Sequence, residues 1–311
     1  MDPLVGQLIA NRYRIGALLG RGGMCSVYRA ENTVKARSVA VKVLPAHKAR
    51  IDELARRFQR EITTAKRIDH PHVATISDSG ALADGSLFLV MELLEGTLLT
   101  NVLDQGRLPI PRALGIARQM LTGLGEAHRI GVVHRDVKPD NVMLVDVDGV
   151  ETVKLFDFGI ASNDKAAVKL TAAGTAFGTP EYISPEMARG DKVDARADLY
   201  AVGVVLFEMV AGRRPFVGDD GISLLRAHIN ERAPSPRAVA PDANLPPALD
   251  RLILRALEKN PADRFFTTEE MVAAIDGVLR PKTRRRTYAV AAVFLALAAA
   301  ALVAKLQFHL F

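Results

Sequence analysis

The chain has 311 residues, 49% hydrophobic and 24% charged, enough for one large domain or two lobes sharing a cleft. A single cysteine, Cys25, excludes an intramolecular disulfide framework and suits a reducing compartment. The net charge of +6 invites nucleic acid, but part of it is one cluster (Lys282, Arg284, Arg285, Arg286). No aromatic-basic pattern accompanies it, which argues against that partner.

The first residues, MDPLVGQLIANRYRIG, lack a basic leader and a continuous apolar core, so they do not read as a signal peptide. Residues 13–45 alternate in polarity and are rich in β-formers (YRIGALLG, SVYRAEN, SVAVKVLP), which predicts short antiparallel strands. In LLGRGGMCSVYRA, Gly20 and Gly22 fall between two strand-like runs, and Cys25 stands where the third glycine of G-x-G-x-x-G would be. A dinucleotide-binding loop of that type opens a helix, so the placement argues against that fold.

Residues 51–68, IDELARRFQREITTAKRI, have helical spacing, with Ile51, Leu54, Ala55, Phe58, Ile62, Ala65 and Ile68 on one face. At about 100° per residue Glu61 falls inside that apolar arc, between Ile68 and Leu54. An inward carboxylate is costly unless paired. The nearest cation is Lys42, which ends the apolar strand VAVK; the alternative is an edge position where Glu61 reaches solvent. Beyond residue 95 the pattern turns helical, over 111–131, 198–212 and 245–261, with Pro and Gly at the ends. A small β-rich lobe followed by a larger α-rich lobe is expected.

The stretch VVHRDVKPDNVML places His134, Arg135, Asp136, Lys138 and Asn141 in one loop between apolar runs, and KLFDFGIA follows at 154–161. The succession of G-x-G, VAVK, an inward glutamate, HRDVKPDN, DFG and TPEYISPE resembles the eukaryotic-like (Hanks-type) serine/threonine protein kinases of bacteria over residues 13–276. The resemblance implies an α+β, bilobal fold: a small antiparallel β-sheet N-lobe with one key helix, and a larger α-helical C-lobe. It sets a kinase domain at 1–280, with the N-lobe at 1–91 and the C-lobe at 92–280.

It also implies roles that the physics of phosphoryl transfer explains: neutralise charge, align the groups, exclude water. Lys42 would hold the α- and β-phosphates of ATP, with Glu61 orienting its ammonium. Asp157 would bind Mg²⁺ bridging the phosphates, and Asn141 would offer an oxygen to a second Mg²⁺. Asp136 would orient the substrate hydroxyl and accept its proton, and Lys138 would steady the transferred phosphate. Leu19, Gly20, Gly22 and Gly23 would form the flap over ATP. Val27 and Ala40 would line the adenine ring, Met91 would be the gatekeeper, and backbone groups of Glu92 and Leu94 would read the adenine edge.

Regulation and bracing follow from the same resemblance. Thr171 and Thr175 would be autophosphorylated, with Arg135 receiving the phosphate through a bidentate guanidinium. Thr179 resembles the threonine that contacts the catalytic aspartate. Glu186 would pair with Arg264, and Asp198 would brace the catalytic loop. Departures from the family pattern are mild: SPE at Ser184–Glu186 instead of the commoner APE, and Asp140 where many members have Glu. Cys25 has two readings, a buried inert residue or a thiol near the phosphates whose thiolate Lys42 and Mg²⁺ would favour.

Two rival functions stand beside an active protein kinase. A pseudokinase scaffold is opposed by the intact Lys42, Glu61, Asp136, Asn141 and Asp157. A small-molecule phosphotransferase is opposed by the complete TPEYISPE segment. Protein Ser/Thr hydroxyls are the expected substrates, and a homodimer would suit phosphorylation in trans.

The last segment is different in kind. Tyr288–Ala304, YAVAAVFLALAAAALVA, carries no polar residue beyond the tyrosine, follows the basic block 281–287, and is followed by Lys305. As a helix it would span about 26 Å against a hydrocarbon core near 30 Å, and Lys305 can snorkel. Its strongly apolar residues contribute roughly −2 to −4 kcal/mol toward insertion. A transmembrane helix over 288–305 with a short tail 306–311 is expected, and the basic block would place the kinase domain in the cytoplasm, at the cell membrane. The extracellular sensor typical of the family would be absent, or removed if the chain is a fragment.

Overall fold

The structure is a computed structural model, and it describes residues 2–158 and 180–280. A six-stranded antiparallel sheet comes first: β1 (Leu8–Ile9), β2 (Tyr13–Arg21), β3 (Ser26–Asn32), β4 (Arg37–Leu44), then, after two helices, β5 (Ile76–Ala81) and β6 (Leu87–Glu92). The strand order is β1-β2-β3-β4-β6-β5. The helices between β4 and β5 are the single turn α1 (Ala46–Ala49) and the longer α2 (Asp52–Ala65).

Strand alternation gives this sheet two faces. One buries Tyr13, Ile15, Tyr28, Ala30, Val39, Val41, Val43, Phe88 and Val90 in a core of its own. The register pairs Gly20 with Val27, Val27 with Lys42, and Ala40 with Met91. Cross-strand partners point the same way, so these five residues share the opposite face, toward α2 and the cleft. Ile51 departs from expectation: it caps α2 in extended conformation and is exposed, so the inward stripe starts one turn later.

The chain then crosses into a short sheet of β7 (Gly96–Leu98), with β8 (Val142–Val147) and β9 (Val150–Leu155) arriving later. A Cβ at Gly96 would run into the Leu144 carbonyl, so β7 lies this close to β8 only because the residue is glycine. Helices α3 (Leu99–Leu103) and α4 (Ile110–Arg129) precede β8. The rest is helical: α5 (Pro185–Arg189), α6 (Arg196–Ala211), α7 (Gly221–Asn230), α8 (Pro236–Val239), α9 (Pro247–Ala256) and α10 (Thr268–Leu279).

α6 is apolar around its whole circumference and is buried from Ala197 to Phe207. A helix without a polar face has to sit at the centre of a lobe; α4 and α9 pack against it, and α10 packs against both of them. Asp198, in the first turn of α6, is therefore buried as well, and its position fixes the loop above it.

The fold is bilobal, an antiparallel-sheet N-lobe and a helical C-lobe, as expected. Among the described residues no helix is long and apolar enough to cross a membrane. The expected span 288–305, the basic block 281–287, the tail 306–311, and Thr171, Thr175 and Thr179 all lie outside the described residues.

Candidate active site

Lys42 ends the cleft-facing run of β4, and Glu61 projects from the buried side of α2. Their side chains meet at 2.8 Å, and Lys42 Nζ also donates to Asp157 Oδ1 at 2.9 Å. Burial pulls the Lys42 ammonium down, but the charges of Asp157 and Glu61 outweigh it and raise its pKa. Burial pushes Glu61 up to about 7 despite the lysine beside it. Its second oxygen, Oε2, is buried with no hydrogen-bond partner among the described residues. The edge position allowed by the sequence is thus corrected: Glu61 is 2% exposed.

Below the cleft, a second cluster forms in the loop 134–141. Lys138 Nζ approaches the Asp136 carboxylate at 3.0 Å, and Asn141 Nδ2 donates to the Asp136 carbonyl at 2.8 Å and to its Oδ2 at 3.0 Å. Both acceptors can only accept, so Asn141 must use its amide nitrogen here and its oxygen faces elsewhere. Asp136 keeps 45% of its side chain exposed. The Phe156 N–H donates to the Asn141 carbonyl at 3.2 Å, which sets Asp157 beside this loop.

Two residues of this site hold strained backbone. Arg135 and Asp157 have φ of 64° and 54°, a left-handed conformation that costs a non-glycine residue about 1–3 kcal/mol. Asp198 stabilises the first of these. Its carboxylate accepts the backbone N–H groups of His134 and Arg135, each at 2.8 Å, and His128 Nε2 at 2.7 Å. Desolvation would raise the Asp198 carboxyl; the His128 hydrogen bond and the charges of His128 and His134, with the Arg135 N–H, outweigh it and lower it. Phe158, following Asp157, is buried against the His134 ring at 4.5 Å between centroids.

The remaining expected residues sit at the cleft rim or wall. Ala40 and Met91 are buried and opposed in register, Val27 is half-buried, and Leu94 is half-buried just past β6. Leu19 is exposed. The turn joining β2 and β3 closes with the Gly22 N–H donating to the Cys25 carbonyl at 2.9 Å. A Cβ at Gly20 or Gly23 would meet nothing within 4 Å, so these glycines border open space.

Of its two readings, Cys25 takes the buried one. It is buried with Leu44, Phe58, Ile62 and Leu89, and burial pushes its thiol up to about 12 against the weaker pull of Lys42.

Other contacts had no sequence signal of their own. Lys154 pairs with Glu92 at 2.9 Å, and Lys48 of α1 donates to the Gly23 carbonyl at 2.8 Å. Tyr182 donates to Glu208 at 2.6 Å, and Arg214 pairs with Glu181 at 3.0 Å. His128 was the most findable, as a polar residue on the last turn of an apolar helix.

The sequence pattern of the protein kinase domain matches residues 13–274. The chain belongs to this family, on its bacterial serine/threonine branch. It is 43% identical over 291 residues to the serine/threonine-protein kinase pkn3 of Myxococcus xanthus, covering 92% of this chain and 53% of that protein. It is 37% identical to the serine/threonine-protein kinase PrkC of Bacillus subtilis, over 88% of this chain and 41% of that one. The chain thus spans about half the length of the curated relatives it matches. Among solved structures, the kinase domain of Mycobacterium tuberculosis PknI is similar, with a TM-score of 0.68 at 32% identity, covering 88% of this chain and 98% of that one. Members of this family in general use ATP and a divalent metal.

Proposed function

We propose that this chain is an ATP-dependent serine/threonine protein kinase that phosphorylates protein hydroxyls and its own activation segment. The observation that carries this reading is the convergence of two charged clusters, Lys42–Glu61–Asp157 and Asp136–Lys138–Asn141, across one cleft. The proposed domain is one kinase domain over residues 1–280, with the N-lobe at 1–91 and the C-lobe at 92–280.

Lys42 grips the α- and β-phosphates of ATP, with Glu61 holding its ammonium in place. Gly20, Gly22 and Gly23 let the flap backbone come close to the phosphates, consistent with the open space at Gly20 and Gly23. Leu19, Val27, Ala40 and Met91 enclose the base, and backbone groups of Glu92 and Leu94 read its edge. Asp136, oriented by Asn141 and Lys138 yet half open, accepts the proton of the incoming hydroxyl as its oxygen attacks the γ-phosphorus. The bond to the β-phosphate oxygen breaks and ADP leaves, while Lys138 steadies the transferred group.

Asn141 and Asp157 fit Mg²⁺, because both present hard oxygens that their hydrogen bonds leave available. Magnesium held by one or two protein oxygens would take its other ligands from substrate phosphates and water. When bound, Mg²⁺ neutralises the phosphate charge that develops during transfer.

Thr171 and Thr175 are the proposed autophosphorylation sites, and phosphorylation in trans makes a homodimer a natural partner. Residues 288–305 are proposed as a membrane span that holds the kinase domain on the cytoplasmic face, supported by their apolar composition and the basic block before them.

The deciding experiment is radiolabelled ATP with Mg²⁺ on wild type and Asp136→Asn. Loss of about 10²–10⁴-fold in rate is expected for removal of a general base; equal signals break the catalytic assignment. Mass spectrometry of active protein tests the two threonines, and finding neither modified rejects them. Sedimentation with membranes that survives high salt supports the span; release by salt alone rejects it.

A further inference from the structure

His228, on α7, is 0% exposed and lies outside the cleft. Its ring bridges two elements. Nδ1 is 2.9 Å from the Tyr200 hydroxyl of α6, and Nε2 is 3.1 Å from the Glu181 carbonyl. A carbonyl can only accept, so Nε2 carries the proton, Nδ1 is bare, and the Tyr200 hydroxyl must donate to it. Lys259 Nζ in turn reaches the Tyr200 hydroxyl at 3.5 Å, the His228 carbonyl at 2.7 Å and the Ala227 carbonyl at 3.3 Å. A one-way donor relay therefore runs from Lys259 through Tyr200 and His228 to the backbone of Glu181. The Phe216 ring packs edge-on to His228 at 4.9 Å between centroids and carries the Lys259 ammonium at 4.2 Å on its other contact.

The receiving group lies in the turn Pro180–Tyr182, within TPEYISPE. That turn is fixed at two further points, Arg214 on the Glu181 side chain and Glu208 on the Tyr182 hydroxyl. Tyr182 and Glu208 also feel the charge of Asp140, two residues past Lys138. The turn therefore lies within electrostatic reach of the loop that carries Asp136 and Lys138, and on the kinase reading it belongs to the substrate-side segment. The Arg214 and Glu208 ties are both made to side chains; among the described residues, His228 is the side chain that hydrogen-bonds the backbone of this turn, at the Glu181 carbonyl.

We propose that His228 is a positioning residue for the protein substrate: its Nε2–H holds the Glu181 backbone and sets the height of the substrate-facing turn against Asp136. The proposal rests on the kinase reading above. His228 touches neither ATP nor the transferred group, so its loss should weaken the hold on protein substrate and spare the hold on nucleotide.

The test uses the full chain with a peptide of its own residues 166–178, AAVKLTAAGTAFG, as substrate. In His228→Ala the peptide KM rises about fivefold, the scale of one lost hydrogen bond, while the ATP KM stays within about twofold. His228→Gln, whose side-chain amide N–H reaches where Nε2 stood, recovers most of the loss. Deuterium exchange over residues 180–188 increases in His228→Ala while α4 stays protected. An unchanged peptide KM, or an ATP KM that rises in step with it, overturns the proposal. If His228→Ala does not fold, Tyr200→Phe carries the same comparison with a rise of about twofold, and no rise overturns it. Wild-type protein that transfers no phosphate breaks the kinase reading instead, and the exchange comparison then decides the role of His228.

Discussion

Two buried ion pairs, one in each lobe, are built to opposite ends. In the C-lobe, Arg264 and Glu186 are fully enclosed and meet through two bonds of 2.8 and 2.7 Å. Arg264 spends its other hydrogens on the carbonyls of Glu258, Arg196 and Lys259, so the fork is saturated. In the N-lobe, Lys42 divides itself between Glu61 and the half-open Asp157, and Glu61 Oε2 has no partner among the described residues. A saturated pair has nothing to gain from rearranging. On the proposed function, an under-satisfied pair leaves Lys42 able to exchange one carboxylate for a phosphate. The first pair is a brace; the second is a site.

The contrast can be broken by substitution. Arg264→Ala should cost about 3–5 kcal/mol of stability, because it strands a buried carboxylate, measured by chemical denaturation. A loss below about 1 kcal/mol would place Arg264 among ordinary surface ion pairs. Glu61→Gln should do the reverse: kcat/KM for phosphoryl transfer falls about 10- to 100-fold, the scale of a charged hydrogen bond, with little change in the denaturation midpoint. If stability falls and activity does not, the two pairs are of the same kind.

The C-lobe brace has a neighbour that sharpens the comparison through pH. Burial, with Lys259 nearby, holds His228 down at about 3, well below its usual 6.5. The unfolded chain therefore binds the extra proton between pH 6.5 and 3, and the folded one does not. Stability from this group is present above 6.5 and is lost as pH falls toward 3, with a slope of at most about 1.4 kcal/mol per pH unit. His228→Gln should flatten that slope in denaturation curves measured across the window. The smallest effect is expected at Cys25. Its thiol packs against α2 as a small apolar group, so Cys25→Ala should change the transfer rate by less than about twofold. A larger loss would restore it to the phosphate side of the flap.

Much of the site was legible before any fold was known. Glu61 betrayed itself as a carboxylate inside an apolar stripe, and burial then demanded a cation. The loop 134–141 concentrates charge between apolar runs, which soluble loops have no structural need to do. The opposite case is the Lys48 contact to the Gly23 carbonyl, or Arg214 to Glu181: exposed-looking basic residues with no periodic signature, whose partners depend on how separate segments pack. Ile51 misled for a local reason, since helical spacing continues into the cap while the helix itself does not.

The sequence by itself determined the classes of element, the place of Glu61 within an apolar arc, and the family, because periodicity and motif order are properties of the chain alone. Tertiary structure decided the rest. It buried Cys25 among apolar side chains, let Asp157 share Lys42, held Arg135 in a left-handed conformation through Asp198, and joined His228 to the Glu181 backbone. These contacts join residues as much as 115 positions apart in the chain. Their strength comes from burial and from donors and acceptors that can pair in only one direction, which no local pattern of residues encodes.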